Sequence, residues 1–335
     1  MADKTSLKEL CFKIPKAELH IHLEGTIEPE MILKLSKRNN IEIKSKSIEE
    51  IKEKYNFKSL NDFLEIFKEG TSVLKTKEDI FDISYSYCKK CKEQNVVYTE
   101  LITDPTMAIK NKIPLKDYYE GIIEGMEKGK KEFGINYKLI YCIIRTQTEE
   151  EAFNDLKLSL DYKKYFNIIG LAGAERNNPP DKFKNIFEYA KKEGFNITIH
   201  AGEDGPIDYI KQALKYCNRI DHGIVCYNDT DFLKELSDKK IPLTLCPVSN
   251  LKLKAVNDLE SYPLRNFLKN NVLVCINSDD PSYFGSYCAD NYCKLVDSIG
   301  LNKEEIILLA ENSFKCSFLS DKDKDVYLDM IAKFK

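Results

Sequence analysis

The chain has 335 residues and a net charge of −3, and its lysines and acidic residues are mixed along the whole length. This balance does not indicate nucleic-acid binding, and no apolar run approaches the roughly 20 residues that a membrane-spanning helix needs. A composition with 43% hydrophobic and 31% charged residues predicts a globular protein with a sizeable core, and we expect one domain over residues 1–335.

Eleven cysteines are scattered along the chain, several inside predicted strands or helices, which is typical of reduced thiols in a cytoplasmic protein. The first residues, Met1 to Lys4, carry no apolar signal segment, and this agrees with a cytoplasmic location. Cys88 and Cys91 have C-x-x-C spacing, but their helical, lysine-rich surroundings and the lack of a second pair argue against a zinc or redox role.

Short apolar runs rich in Val, Ile, Leu and Tyr recur eight times, each bounded by polar or turn residues, and they predict strands. Most are followed by a segment with apolar residues at helical spacing, such as 181–190, 229–240 and 259–270. The predicted strands are residues 17–23, 96–103, 138–145, 168–173, 196–200, 219–223, 242–246 and 272–278.

Alternating strands and helices predict an α/β fold, a (β/α)₈ TIM barrel. A doubly wound open sheet is the main alternative, and it is disfavoured because no G-x-G-x-x-G motif follows the first strand. The gap between residues 24 and 95 is too long for a single helix, so we expect extra helices inserted after strand 1. One of these, over Ser59 to Leu74, is expected to cover the mouth of a pocket.

The first predicted strand ends in two histidines, His20 and His22. Side chains alternate faces along a strand, so both imidazoles point the same way, about 7 Å apart, and can bind one metal ion. The only other histidines, His200 and His222, also stand at the ends of short strands. A chain that places its histidines only at strand ends is expected to use them in chemistry.

The carboxyl ends of barrel strands meet at one rim, where catalytic residues collect. Glu203 follows His200 at the end of strand 5, and strand 8 runs directly into Asp279 and Asp280. Three histidines and one aspartate form a zinc shell with room for water, whereas a structural zinc would more often use cysteines.

The roles of the remaining groups follow from charge. Zinc lowers the pKa of its water to about 7, and His222 would be the base beside that water. Glu203 would be the acid that protonates the substrate where negative charge develops. Adjacent aspartates on a strand point to opposite sides, so Asp279 is expected to face the metal and Asp280 the substrate.

Five motifs along nearly the whole chain resemble those of the adenosine/adenine deaminase family of metal-dependent hydrolases. The resemblance implies a (β/α)₈ barrel with one Zn²⁺ per chain that removes the 6-amino group of a small-molecule purine by hydrolysis. The motifs are Pro15 to Gly25, His200 to Glu203, Asp221 to Gly223, Cys246 to Asn250, and Asn277 to Pro281.

The resemblance also implies residue roles. Glu203 is similar to the acid that protonates purine N1, and His222 to the residue that orients and deprotonates the zinc water. Asp280 is similar to the group that meets N7, and Gly173 to the glycine whose backbone approaches the N3 side. The implied zinc ligands are His20, His22, His200 and Asp279.

Within the family, several stretches resemble the adenine deaminase branch, including Glu24 to Glu30, Asn178 to Pro180 and Ser278 to Gly285. Glu24 replaces the aspartate that adenosine deaminases usually carry near the ribose, and the longer side chain would crowd a sugar. The resemblance therefore favours adenine, converted to hypoxanthine and ammonia in purine salvage. The alternatives are adenosine, converted to inosine, and another 6-aminopurine metabolite.

Three strand ends depart from the adenine deaminase branch. Ala172-Gly173 resembles adenosine deaminases, and the segment Leu101 to Ala108 lacks a Phe-Phe-Asp-Pro-Gln-x-His pattern. Arg145-Thr146 stands where a histidine is usual. Because strand ends form the pocket rim, these differences are expected to alter the substrate and to leave the zinc chemistry unchanged.

Other protein classes fit less well. Binuclear amidohydrolases usually bridge two metals with a lysine at the end of strand 4, where this chain has Gly173-Ala174-Glu175. Cytidine-type deaminases need a P-C-x-x-C motif, which the sequence lacks. A non-catalytic zinc- or purine-binding barrel would not need Glu203 and His222 beside the metal. Glu175 either holds a loop or contacts the substrate.

Overall fold

A computed structural model gives the arrangement of residues 3–335, whose centre is one sheet of eight parallel strands. The strands are β1 (Lys16–His22), β2 (Val96–Thr103), β3 (Asn136–Ile144), β4 (Phe166–Ala172), β5 (Asn196–Ala201), β6 (Arg219–His222), β7 (Leu243–Leu245) and β8 (Val274–Ile276). Each strand pairs with the strand that follows it along the chain, from β1 to β8. The segment after β8 then pairs with β1, because Asp279 N donates to His20 O and His22 N donates to Asp279 O, each over 3.0 Å. The predicted (β/α)₈ barrel is confirmed.

Adjacent residues of each strand face opposite sides of the sheet. In β3, Leu139, Tyr141 and Ile143 belong to the large core between the sheet and the helices. Ile140 and Cys142 join a smaller apolar cluster with residues of β2 and β4, on the inner face of the barrel. Strands buried on both faces are rich in apolar residues, as β3 and β4 are, and this explains why most of them could be predicted from the sequence.

Helices cover the outside of the sheet. Within residues 3–335, no helix combines the length and the apolar character needed to cross a membrane. The helices are α1 (Lys4–Lys13), α2 (Pro29–Arg38), α3 (Ile48–Glu53), α4 (Leu60–Thr71), α5 (Lys77–Gln94), α6 (Pro105–Lys110), α7 (Leu115–Phe133), α8 (Glu149–Ser159), α9 (Lys184–Lys192), α10 (Ile207–Ala213), α11 (Thr230–Asp238), α12 (Pro247–Lys252), α13 (Leu264–Lys269), α14 (Pro281–Phe284), α15 (Cys288–Ser298), α16 (Lys303–Lys315) and α17 (Asp321–Ala332).

One predicted helix is shorter than expected. The helix predicted over 259–270 begins only at Leu264, since Pro263 favours extended backbone in the residue before it.

The insertion after β1 holds a 3-10 turn, Glu24–Thr26, and the four helices α2 to α5. Helix α4 begins after Ser59, whose side chain caps it by accepting a backbone hydrogen bond. On its inner face, the ring of Phe63 lies 5.6 Å from that of Tyr283 and 5.0 Å from that of Phe284. These contacts hold α4 against α14, which follows β8, and so place it over the carboxyl end of the barrel.

The last strand is shorter than predicted, because the side chain of Asn277 takes over part of its hydrogen bonding. Oδ1 of Asn277 accepts hydrogen bonds from Leu19 N over 2.8 Å and from His20 N over 3.2 Å. A side chain therefore joins β8 to β1 where a regular strand would use its backbone. This irregular junction leads directly to Asp279.

Candidate active site

A cavity of about 580 Å³, part of it open to solvent, lies at the carboxyl end of the strands. Its size is in the range of small-molecule sites. Eight of the nine predicted site residues line it, and the ninth, His20, is fully buried next to them. The eight are His22, Glu24, Gly173, His200, Glu203, His222, Asp279 and Asp280.

The four predicted metal ligands bring nitrogen and oxygen atoms to one point. Nε2 of His20 and Nε2 of His22 each lie 3.3 Å from Oδ1 of Asp279. Nε2 of His22 lies 3.2 Å from Nε2 of His200. Nε2 of His20 is buried without a hydrogen-bond partner in the described part of the chain. Because buried polar atoms are normally satisfied, this orphaned nitrogen among other donor atoms fits a metal ion.

Two overlapping groups of side chains are close enough to hold an ion. His20, His200, His222 and Asp279 form one group, and His22, Asp279 and Asp280 form the other. Asp279 belongs to both and is the centre of the cluster. Together the two groups contain the four predicted ligands, His222, which was predicted to be the base, and Asp280, which was predicted to face the substrate.

Asp221, to which the sequence pattern assigned no role, orients two of the histidines. Its Oδ2 lies 3.4 Å from Nδ1 of His200. Its Oδ1 accepts a hydrogen bond of 2.9 Å from Thr244, whose hydroxyl lies 2.9 Å from Nδ1 of His20. Burial opposes its ionisation, but the close contact with His200 and the nearby charges hold the pKa of Asp221 well below its usual range. Such carboxylate contacts fix the tautomer of a metal-binding imidazole.

His222 and Glu203 form an acid–base pair, with Nε2 of His222 lying 3.6 Å from Oε2 of Glu203. Burial, and then the charge of Asp279, raises the pKa of Glu203 well above its usual range and favours the protonated carboxyl. Burial, and then the charge of His20, lowers the pKa of His222 and favours a neutral imidazole. The site thus places a proton donor beside a proton acceptor.

The backbone is strained at two residues of the site. Both His222 and Asp279 have a φ of 67°, a left-handed conformation that non-glycine residues rarely adopt. Such a conformation costs about 1–3 kcal/mol and persists where the surrounding structure enforces it, often at functional sites. The strain therefore occurs at the residue that pairs with Glu203 and at the residue shared by both groups of possible metal ligands.

Glu24 is held by two residues that the sequence did not identify. Its Oε1 accepts a hydrogen bond of 2.9 Å from Tyr118 OH and one of 3.3 Å from Asp104 N. Burial, and then the charge of Asp104, raises the pKa of Glu24 to about 7. Asp104 lines the same cavity, whereas Tyr118 reaches it from α7, and only the fold brings that helix to the site.

The rest of the cavity wall is mainly apolar, and α4 contributes to it; that this helix covers the mouth stays a prediction. Of the departures expected at the rim, Ala172 and Gly173 do line the cavity. The segment 101–108 contributes only Asp104, and Arg145 is fully buried outside the wall. Of the three departures, only Ala172-Gly173 is thus placed in the cavity wall in full, and an effect of the departures on the substrate stays a prediction. The residues of α4 in the wall are Leu60, Phe63, Leu64 and Phe67.

Comparison with known proteins agrees with this geometry. The family model described as adenosine deaminase matches residues 15–334. The adenine deaminase of Wolinella succinogenes is 43% identical over 328 residues, which cover 97% of this chain and 99% of the relative.

Two solved structures share the fold. The adenine deaminase from Arthrobacter aurescens matches with a TM-score of 0.93 and 38% identity, covering 96% of this chain and 99% of that chain. An amidohydrolase from Burkholderia ambifaria, solved with bound zinc, matches with a TM-score of 0.88 and 23% identity, covering 99% of this chain and 95% of that chain. The family match spans every motif of the site, and the chain therefore belongs to the adenosine deaminase family.

Proposed function

We propose that this protein hydrolyses adenine to hypoxanthine and ammonia. The observation that carries the proposal is the pairing of Glu203 with His222, 3.6 Å apart, beside a cluster of metal-binding side chains in one cavity. The family assignment confirms the predicted enzyme class, a purine deaminase. Eight relatives named adenine deaminase, 37 to 43% identical to this chain, support adenine as the substrate.

The proposed metal is zinc, one ion per chain, and its proposed ligands are His20, His22, His200 and Asp279. Zinc accepts a donor set of three imidazole nitrogens and one carboxylate oxygen, and catalytic zinc sites keep one position for water. When bound, zinc supplies a Lewis acid that makes water a stronger nucleophile at neutral pH. Ser249 donates a hydrogen bond of 2.6 Å to Oδ2 of Asp279, which leaves Oδ1 facing the histidines.

Hydrolytic deamination adds water at purine C6 and releases ammonia, so it needs one proton delivered to the ring and one removed from water. Glu203, whose protonated form is favoured by burial, would donate to N1 as C6 is attacked. His222, neutral in its buried setting, would accept one proton of the attacking water and pass it to the leaving amino group. As the C6 carbonyl forms and ammonia leaves, the second proton of that water would pass to Glu203, which restores its protonated form. Asn250 Nδ2 lies 3.4 Å from Nδ1 of His222, so the other ring nitrogen faces Glu203.

Asp280 and Gly173 are proposed to bind the purine ring, at N7 and on the N3 side. Oδ1 of Asp280 is buried without a hydrogen-bond partner among residues 3–335, as expected of a group that receives a ligand. Burial, and then the charge of Asp279, raises its pKa, and a protonated carboxyl can donate to N7. Gly173 lines the cavity with a φ of 99°, which a glycine adopts without strain.

Glu24 supports the free base rather than the nucleoside. Its carboxylate is fixed inside the cavity by Tyr118, so it cannot swing aside easily for a ribose on the purine. Adenosine is retained as the alternative substrate because Ala172-Gly173, the pair typical of adenosine deaminases, does line the cavity.

The experiment that tests this function is ammonia release from adenine and from adenosine, measured side by side with zinc-loaded protein. Turnover of adenine with little turnover of adenosine is the expected result. Preference for adenosine would show that Ala172-Gly173 has a larger effect on the choice of substrate than Glu24. If neither compound reacts while zinc is bound, adenine deamination is refuted, and other 6-aminopurines become the compounds to screen.

We also propose a cytoplasmic location and a single domain over residues 1–335. All eleven cysteines are free and ten are buried, which supports reduced thiols in a reducing compartment. One continuous hydrophobic core includes Leu7 of α1 and Ile331 of α17, which supports a single folding unit. The ligand expected for this unit is a small purine.

A further inference from the structure

The carboxylate of Glu175, in the loop after β4, accepts hydrogen bonds from four successive backbone N–H groups. The residue is 1% exposed. Gly202 N donates to its Oε1 over 2.6 Å. The N–H groups of the next three residues donate to Oε2 over 3.0, 3.1 and 2.9 Å. These four groups belong to the segment 202–205, which follows β5 and contains Glu203.

The segment 202–205 is shaped to enclose this carboxylate. A Cβ atom at Gly205 would lie 2.5 Å from Cδ of Glu175, and Gly202 has a φ of 74°. Successive N–H groups turned to one side form an anion-binding concavity, and the carboxylate of Glu175 fills it. Both oxygens of Glu175 are thus used by the backbone, and its side chain is not part of the cavity wall. The structure therefore favours a loop-holding role over contact with the substrate.

The strand that leads into this segment, β5, is held by Arg145, which lies just after β3. The guanidinium is fully buried, and its Nη2 donates a hydrogen bond to the carbonyl oxygen of His200. Arg145, after β3, thus fixes the backbone of His200, a proposed metal ligand. Glu175, after the neighbouring strand β4, fixes the backbone of Glu203, the proposed acid. The segment has little freedom to shift without breaking these contacts.

We propose that Glu175 is a positioning residue, which sets the place of the Glu203 carboxyl relative to the purine by binding the amides of 202–205. The proposal rests on the proposed function, because that function gives Glu203 the protonation of N1. A general acid acts only within hydrogen-bond reach of its target, and a misplacement of about 1 Å can cost about 10²-fold in rate. Glu175 controls this distance without touching the substrate.

A double-mutant cycle of Glu175→Gln and Glu203→Gln, with metal-loaded full-length protein and adenine, tests the proposal. The amide keeps the size of the side chain, but its NH₂ group cannot accept a hydrogen bond from the loop. We expect kcat to fall by about 10²-fold with KM changed by less than about threefold. In the Glu203→Gln background, we expect no further loss, because the residue through which Glu175 acts is already disabled.

The matched control is Glu193→Gln, an exposed position just after α9, which should leave kcat and KM unchanged. Bound metal and thermal midpoint are measured for every variant. If the loss of kcat in Glu175→Gln only follows the loss of metal or of folded protein, or if the two losses multiply in the cycle, the positioning role is wrong. If Glu175→Gln folds poorly, Gly205→Ala, whose methyl group presses on the same carboxylate, replaces it in the same cycle.

The failure of this proposal can be told apart from failure of the proposed function. A parent protein that releases no ammonia from any 6-aminopurine while metal is bound refutes the function, and with it the role of Glu203. A parent protein that deaminates adenine, together with a fully active Glu175→Gln variant, refutes only the positioning role.

Discussion

The hydroxyl of Tyr118 donates a hydrogen bond of 2.9 Å to Oε1 of Glu24, a residue of the cavity wall. Tyr118 itself is fully buried in α7, so it can hold the carboxylate in one orientation. The glutamate that replaces the usual aspartate is therefore held in a position where its carboxylate would crowd a ribose. The choice between a free base and a nucleoside is therefore open to a direct test.

Glu24→Asp should relax the preference for adenine. The shorter carboxylate leaves the reach of Tyr118 and frees the volume of one methylene group, a change that alters substrate discrimination by about 10–200-fold in comparable pockets. We expect the ratio of kcat/KM for adenosine to that for adenine to rise at least about 10-fold. Glu28→Asp is the control, since Glu28 also accepts from a tyrosine hydroxyl, Tyr287, over 2.5 Å, but lies outside the cavity wall. An unchanged ratio would rule out Glu24 as the obstacle.

Removal of the metal should abolish activity and lower the thermal midpoint. A free ion concentration of about 1,000 times Kd stabilises the folded protein by about 4 kcal/mol. A chelator that removes the ion also removes this stabilisation. Elemental analysis should find one zinc per chain, and added zinc should restore both properties. Full activity in protein shown to be metal-free would contradict the assigned centre.

Glu203→Gln should separate catalysis from metal binding. Loss of a general acid typically lowers kcat by about 10²–10⁴-fold, and Glu203 is not one of the proposed ligands, so bound zinc should remain at the parental level. Asp279→Asn should lose metal and activity together. If Glu203→Gln loses zinc to the same extent as Asp279→Asn, Glu203 belongs to the metal shell rather than to the acid–base pair.

Lys16 gives a prediction for stability. It is fully buried in β1, and its Nζ donates a hydrogen bond of 2.6 Å to Gln94 O. Burial lowers its pKa from 10.5 to about 8, so between these values the unfolded chain binds more protons than the folded one. The destabilisation is therefore complete below about pH 8 and disappears as the pH rises towards about 10.5.

For Lys16→Met, the free energy of unfolding of the variant minus that of the parent should fall by about 3 kcal/mol from pH 7 to about pH 11. The difference removes the contribution of every titrating group that does not interact with Lys16. Urea denaturation at a series of pH values measures it. A difference that does not depend on pH would show that this lysine keeps an ordinary pKa in the folded state.

Much of the barrel could be predicted because its strands are apolar and its polar side chains stand at strand ends. The predicted run 17–23 corresponds to Lys16–His22, and its two histidines share a face. Tyr118 could not be found in this way, because nothing in its own helix indicates a contact with Glu24. The role of Glu175 also required the structure, since its partners are backbone N–H groups, which every residue except proline carries.

The pairing of Asp279 with β1 joins the two ends of the barrel at the same place where the proposed metal ligands meet. During synthesis, His20 and His22 leave the ribosome long before Asp279 has been added to the chain. A complete set of ligands exists only once the last strand has docked against the first. Loading of the ion would therefore be a late step of maturation, and a chain cut short before Asp279 would lack both this ligand and the pairing that closes the barrel.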